Sequence, residues 1–113
     1  MFKLLLVEDD DLVRDAISRR LRRICNVTVV MNGADALEKA QQEHFDLFVS
    51  DVDMPVMNGI EFFKALEKVR PDLHKAFIFT TGRPEAVEGL GPLVLDKLQT
   101  RALIQAVEAA IAV

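Results

Sequence analysis

Glu8 and Asp9 follow directly on the apolar run Lys3-Leu4-Leu5-Leu6-Val7. Asp51 comes just after Leu47-Phe48-Val49, Thr80-Thr81-Gly82 closes Phe77-Ile78-Phe79, and Asp96-Lys97 closes Leu93-Val94-Leu95. Each polar group stands where an apolar segment stops. In an open parallel sheet, ligands bind beyond the carboxyl ends of the strands. If these segments are such strands, Glu8, Asp9, Asp51, Thr81 and Lys97 meet at one edge. Carboxylates within a few ångströms of one another repel, so one keeps a proton or a cation fills the gap. Oxygen donors with open positions suit magnesium, which keeps several waters and shares phosphate oxygens. An aspartate can also attack phosphorus and become an aspartyl phosphate. The phosphoryl oxygens then need charge compensation, which magnesium, a lysine and a hydroxyl supply.

The elements that would position these groups alternate between two periods. Lys3–Val7 lacks polar alternation and reads as a strand buried on both faces. Asp10 is a helix N-cap, and Leu12, Val13, Ala16, Ile17, Leu21 and Ile24 repeat at helical spacing to about Arg23. Val27–Val30 reads as a strand, Asn32-Gly33 as a turn, and Ala34, Leu37 and Ala40 as one face of a helix ending near His44. Asp46–Ser50 reads as a third strand, followed by a loop with Pro55 and Asn58-Gly59. Ile60, Phe63, Leu66 and Val69 mark a helix that Pro71 ends. Ala76–Phe79 and Leu93–Leu95 are further strands, and Thr100–Ile111 is a last helix facing inward through Leu103, Ile104, Val107 and Ile111. Between the last two strands Pro84, Gly89, Gly91 and Pro92 leave room only for a short or irregular fourth helix over Pro84–Glu88. The alternation predicts an α/β fold, a doubly wound five-stranded parallel sheet with five helices.

Composition narrows the function. The 113 residues are 50% hydrophobic and 28% charged, enough for one packed domain, and a single domain over 1–113 without an output domain is expected. A net charge of −4 argues against a nucleic-acid footprint. Cys25, the only cysteine, excludes an internal disulfide and fits a reducing compartment. The run Leu4–Val7 is too short to span a bilayer and the N-terminus lacks a signal layout, so a cytoplasmic location is expected. Arg14, Arg19, Arg20, Arg22 and Arg23 read as a solvated face with an Asp15–Arg19 pair. Phe62, Phe63, Phe77 and Phe79 read as core, Met54 and Met57 as packing, and Cys25, His44 and His74 as structural or surface residues.

Val7-Glu8-Asp9-Asp10, the stretch Ser50-Asp51-Val52-Asp53-Met54-Pro55-Val56-Met57-Asn58-Gly59, Thr80-Thr81-Gly82 and Lys97 together resemble the receiver domain of bacterial two-component response regulators, the chemotaxis-regulator-like kind. The resemblance implies a flavodoxin-like sheet of order 2-1-3-4-5. It implies that Asp51 is the phosphoacceptor and that Glu8, Asp9, Asp51 and the backbone carbonyl of Asp53 hold Mg2+. Thr81 would hydrogen-bond the phosphoryl group, and Lys97 would pair with Asp51 and then with the phosphate. The donor would be a phosphohistidine on a sensor histidine kinase or a histidine phosphotransfer protein, and the reader a downstream protein effector. A homodimer is among the assemblies the resemblance allows; nucleic acid and membrane are not expected partners.

Three features depart from that pattern. Leu98 stands where the family places a proline, Val94 stands where it places an aromatic, and the Thr81-to-Lys97 stretch is short. A cis bond before leucine costs about 2.5–4 kcal/mol, so Lys97-Leu98 is expected to be trans. The face most receivers use for output is the one altered, which predicts a different readout. Asp53 and Arg83 flank the site with opposite charges and either pair across its mouth or leave Asp53 to orient water. Two other functions use similar parts. A phosphatase resembling the haloacid dehalogenase superfamily would use Asp51 as nucleophile with Asp53, but that superfamily places its extra acids after the lysine, where only Glu108 follows here. A degenerate receiver would act as a binding module without accepting phosphate.

Overall fold

Leu4, Leu5, Leu6 and Val7 form an unbroken apolar run because both faces of their strand are covered. The computed structural model describes residues 1–112, Val113 lying outside them, and β1 (Lys3–Val7) sits inside the sheet with those four side chains at most 1% exposed. With β2 (Asn26–Val30), β3 (Leu47–Asp51), β4 (Phe77–Thr81) and β5 (Leu93–Asp96) it forms one parallel sheet of order β2-β1-β3-β4-β5. This is the flavodoxin-like order expected. Register keeps the strand ends level: Val7 pairs with Val30 and Ser50, Asp51 with Thr80, and Thr81 with Asp96.

Each face of the sheet has its own core. Leu4, Leu6, Leu47, Val49 and Ile78 pack against Ile17 and Leu21 of α1 (Asp11–Leu21) and Leu103 and Val107 of α4 (Thr100–Ile111). On the other face Leu5, Val7, Phe48, Phe77 and Phe79 meet Ala36 of α2 (Gly33–Gln42) and Phe62, Phe63 and Leu66 of α3 (Gly59–Glu67). The phenylalanines interlock edge to face, Phe63 with Phe77 at 5.1 Å and with Phe79 at 5.5 Å between centroids. The four predicted as core are core.

Three helices start on side-chain caps that satisfy otherwise unpaired N–H groups. Asp10 Oδ1 accepts from Val13 N at 3.0 Å, and Asn32 Oδ1 accepts from Asp35 N at 2.9 Å. Asn58 and Glu61 form a reciprocal capping box at 2.8 and 3.0 Å. So Asn32 ends its turn as the cap of α2.

Several expectations need correction. Five helices were expected, the fourth short or irregular over Pro84–Glu88; among the described residues there are four α-helices, and that fourth position holds a 3-10 turn, Pro84–Ala86. Gly89 and Gly91 adopt φ of 84° and 115°, a conformation that ends helices rather than extending them. The first helix stops at Leu21 rather than Arg23, and the second at Gln42 rather than near His44. The inward stripe of α1 is also narrower than its spacing suggested. Leu12 is 82% exposed and Ala16 is exposed, while Ser18 is buried with its hydroxyl donating to Asp15 O at 3.3 Å. Val69 falls after α3 and is exposed, because that helix ends before Pro71 forces it to. The Asp15–Arg19 pair is not formed among the described residues; Arg14 pairs with Asp11 instead.

Candidate functional site

The level strand ends bring the predicted groups together. One carboxylate oxygen from each of Glu8, Asp9 and Asp51 lies within 4.8 Å of the others. Glu8 and Asp51 are buried while Asp9 is exposed, so the cluster is floored by protein and open on one side. Asp51 ends β3, and its Oδ1 accepts from Val52 N at 2.8 Å. Lys97 Nζ donates to Asp51 Oδ2 at 3.0 Å and to Glu8 Oε2 at 3.3 Å. The amine therefore bridges the two buried acids. Burial alone would lower its pKa, but the hydrogen bond and charge of Asp51, with Glu8 behind it, hold it above the ordinary lysine value.

Glu8 is the unusual acid. Its Oε2 also accepts from Asp10 N at 3.1 Å, but its Oε1 is buried without a hydrogen-bond partner. Burial, helped by the Asp51 charge and opposed by Asp10 N–H and Lys97, pushes its pKa up to about 7. An unpaired buried carboxylate oxygen beside two more acids is what a bound divalent cation resolves. The oxygen-only donor set suits a hard cation.

Thr81 ends β4 fully buried, and its Oγ1 accepts from Arg83 N at 2.9 Å. The Asp53 side chain is not part of the acid cluster and forms an ion pair with Arg83, Nη2 to Oδ1 at 2.6 Å. Of the two sequence alternatives, opposite charges pairing across the mouth is the arrangement present.

Local sequence explains why these groups are held. Lys97-Leu98 is trans, as expected. Asp96 holds the turn that carries Lys97 through hydrogen bonds. Its Oδ1 accepts from Leu98 N at 2.8 Å, its carbonyl from Gln99 N at 3.0 Å, and Lys97 N donates to Thr81 O at 3.0 Å. Gly59 lets α3 start against the back of Asp51; a Cβ there would lie 2.1 Å from Asp51 O. Arg14 was read as part of a solvated face, yet its Nη1 donates to Glu8 O at 3.1 Å. It braces the strand end that carries Glu8, and only its place six residues on, one turn into the following helix, could have hinted at this. An open cavity of about 540 Å³, lined by Met1 and residues 22–27, lies at the opposite ends of the strands from these acids.

The sequence matches the model of the response regulator receiver domain over residues 4–99. The chain belongs to the response regulator receiver family. It is 39% identical over 79 residues to the response regulator receiver protein CpdR of Brucella abortus (strain 2308), covering 69% of this chain and 66% of that protein. It is 28% identical over 116 residues to the transcriptional regulatory protein LnrK of Bacillus subtilis (strain 168), covering 95% of this chain and 52% of that one. The chain thus spans about half to two thirds of the length of these curated relatives. Among solved structures it is similar to the Vibrio cholerae chemotaxis protein CheY4, with a TM-score of 0.83 and 29% identity, covering 97% of this chain and 98% of that one. These matches support the receiver of two-component signalling and not the phosphatase. The receiver here has no helix among the described residues long and apolar enough to cross a membrane.

Proposed function

We propose that this receiver accepts a phosphoryl group on Asp51 and that the acid edge of its sheet is the reaction site. The observation that carries the reading is the Lys97 amine bridging Asp51 and Glu8 beside the unpartnered Glu8 Oε1. Glu8, Asp9, Asp51 and the backbone carbonyl of Asp53 would hold Mg2+, which when bound neutralises carboxylate and phosphoryl charge.

The chain's own groups do the rest. A carboxylate oxygen of Asp51 attacks the phosphorus of a phosphohistidine; the P–O bond forms, the P–N bond breaks, and its electron pair returns to the imidazole, which takes up a proton. Val52 N–H holds Asp51 Oδ1 in place for this. Lys97 follows the charge from the carboxylate to the phosphoryl oxygens, and the Thr81 hydroxyl donates to one of them. Water attack on phosphorus later regenerates Asp51 and releases phosphate. The domain supplies this chemistry to itself as a switch rather than turning over an external substrate.

Residues 1–113 act as one receiver unit in this reading. The partners are a sensor histidine kinase or a histidine phosphotransfer protein upstream and a protein effector downstream, in the cytoplasm. The complete set of acids, hydroxyl and amine speaks against a degenerate binding module. Incubation with Mg2+ and phosphoramidate tests the reading. A hydroxylamine-labile phosphoryl group mapping to Asp51, absent from Asp51→Asn, is expected; labelling elsewhere, or of the variant equally, refutes it.

A further inference from the structure

Arg83 holds the site from two sides. Its backbone N–H donates to Thr81 Oγ1 at 2.9 Å, and its guanidinium grips Asp53 through Nη2–Oδ1 at 2.6 Å and Nε–Oδ2 at 3.4 Å. Asp53 stands two residues past Asp51 and Arg83 two past Thr81, so the pair ties together the connections that leave β3 and β4. Beyond Arg83 the connection to β5 has little structure of its own. Its hydrogen bonds are local, from Ala86 N to Arg83 O, Val87 N to Pro84 O and Leu90 N to Val87 O. Only a 3-10 turn forms, and Val87 is the side chain fully buried in the core.

We propose that Arg83 is a positioning residue that fixes the Thr81 hydroxyl in the orientation of the unphosphorylated site and couples that orientation to residues 82–91. The inference rests on the reading of Asp51 and Thr81 given above. A hydroxyl offers one proton and two lone pairs. With Arg83 N–H bound to one lone pair, rotation of Thr81 toward a phosphoryl group on Asp51 leaves that N–H without its acceptor unless residue 83 follows. The grip of its guanidinium on Asp53 opposes that movement. Turning the hydroxyl, opening the Arg83–Asp53 pair and shifting residues 82–91 therefore happen together. This route needs neither the aromatic that Val94 replaces nor a helix between β4 and β5. Both members of the pair are more than half exposed, 61% and 57%, so breaking it costs little stability and removes the coupling without unfolding the chain.

The test is the amide NMR spectrum of the full chain before and after addition of Mg2+ with beryllium trifluoride, the phosphoryl mimic. In the native protein the amides of Val52, Lys97 and residues 82–91 are expected to shift. In Arg83→Ala the Val52 and Lys97 shifts persist, because the mimic still binds, while those of residues 85–91 shrink about twofold or more. Arg83→Lys, which keeps the charge but loses the two-pronged contact, recovers part of the response. Equal shifts over 85–91 in Arg83→Ala and the native chain overturn the coupling role alone. No shift at Val52 or Lys97 in the native chain, as in Asp51→Asn, overturns the reading of the site and the coupling with it.

Discussion

Lys97 and Glu8 decide the electrostatics of the acid edge. The amine at 3.0 Å from Asp51 and 3.3 Å from Glu8 occupies the charge deficit of two buried carboxylates. Removing it in Lys97→Met takes away phosphoryl stabilisation while relieving competition for the acids. Phosphorylation of Asp51 is expected to slow by about 10²-fold, the usual scale for losing one preorganised donor. Mg2+ affinity, measured by titration, should not fall. A rate within about twofold of native would remove Lys97 from the mechanism. Glu8 governs a pH dependence. Its folded pKa of about 7 exceeds the ordinary value of 4.5, so between those two pH values the folded chain binds the extra proton. Raising pH through that window therefore costs stability in metal-free protein. Glu8→Gln is expected to gain on native as pH rises from 4.5 to 7, by about 1–3 kcal/mol at pH 8. Denaturant melts of the two proteins across that range read it, and parallel curves would show that Glu8 ionises normally.

The elements hold these residues through connections whose chemistry is specific. Val56, between β3 and α3, has φ of 69° and is 83% exposed, a conformation β-branched residues avoid. Val56→Gly removes that strain and loses no packing, so stability should rise by about 1 kcal/mol. A lower denaturation midpoint would contradict it. The turn after β5 depends on Asp96, whose side chain holds Leu98 N. Asp96→Ala should keep the fold but loosen Lys97, slowing Asp51 phosphorylation several-fold; an unchanged rate would show that backbone pairing of Lys97 with Thr81 suffices. These connections were the least legible parts of the sequence. Strand cores such as Leu4–Val7 and Phe77–Phe79 announce themselves by apolar continuity, and Asp10 as a cap by its position. The backing role of Gly59, the Arg14 brace on Glu8 and the Asp96 turn depend on groups distant in the chain or on backbone angles, which spacing does not encode. The inward spacing of Leu12 and Ala16 misled for a related reason. Periodicity gives a stripe, but only the neighbouring helix decides how wide a stripe is covered, and here α4 leaves both exposed.

At the scale of the whole molecule, the two cores make the sheet a rigid frame whose open edge is the acid cluster. The parallel α/β class was legible because strand and helix alternate and strand ends carry the polar residues, whereas the strand order came only with the resemblance to receivers. Between β4 and β5 the crowd of Pro and Gly left room for about one turn from Pro84, and a 3-10 turn over Pro84–Ala86 is what forms there. Since an ion binding the folded acid edge and not the unfolded chain stabilises by mass action, Mg2+ at about 100 times its dissociation constant should add about 2.7 kcal/mol. Asp9→Ala should abolish most of that gain, and an equal gain in the variant would place the ion elsewhere. The most direct test of the account is the intact mass of the chain after incubation with a small phosphodonor, with Mg2+ and with a chelator. One added phosphoryl group is expected with Mg2+, none with chelator and none in Asp51→Asn. An unchanged native mass in Mg2+, or the same addition in Asp51→Asn, would contradict it.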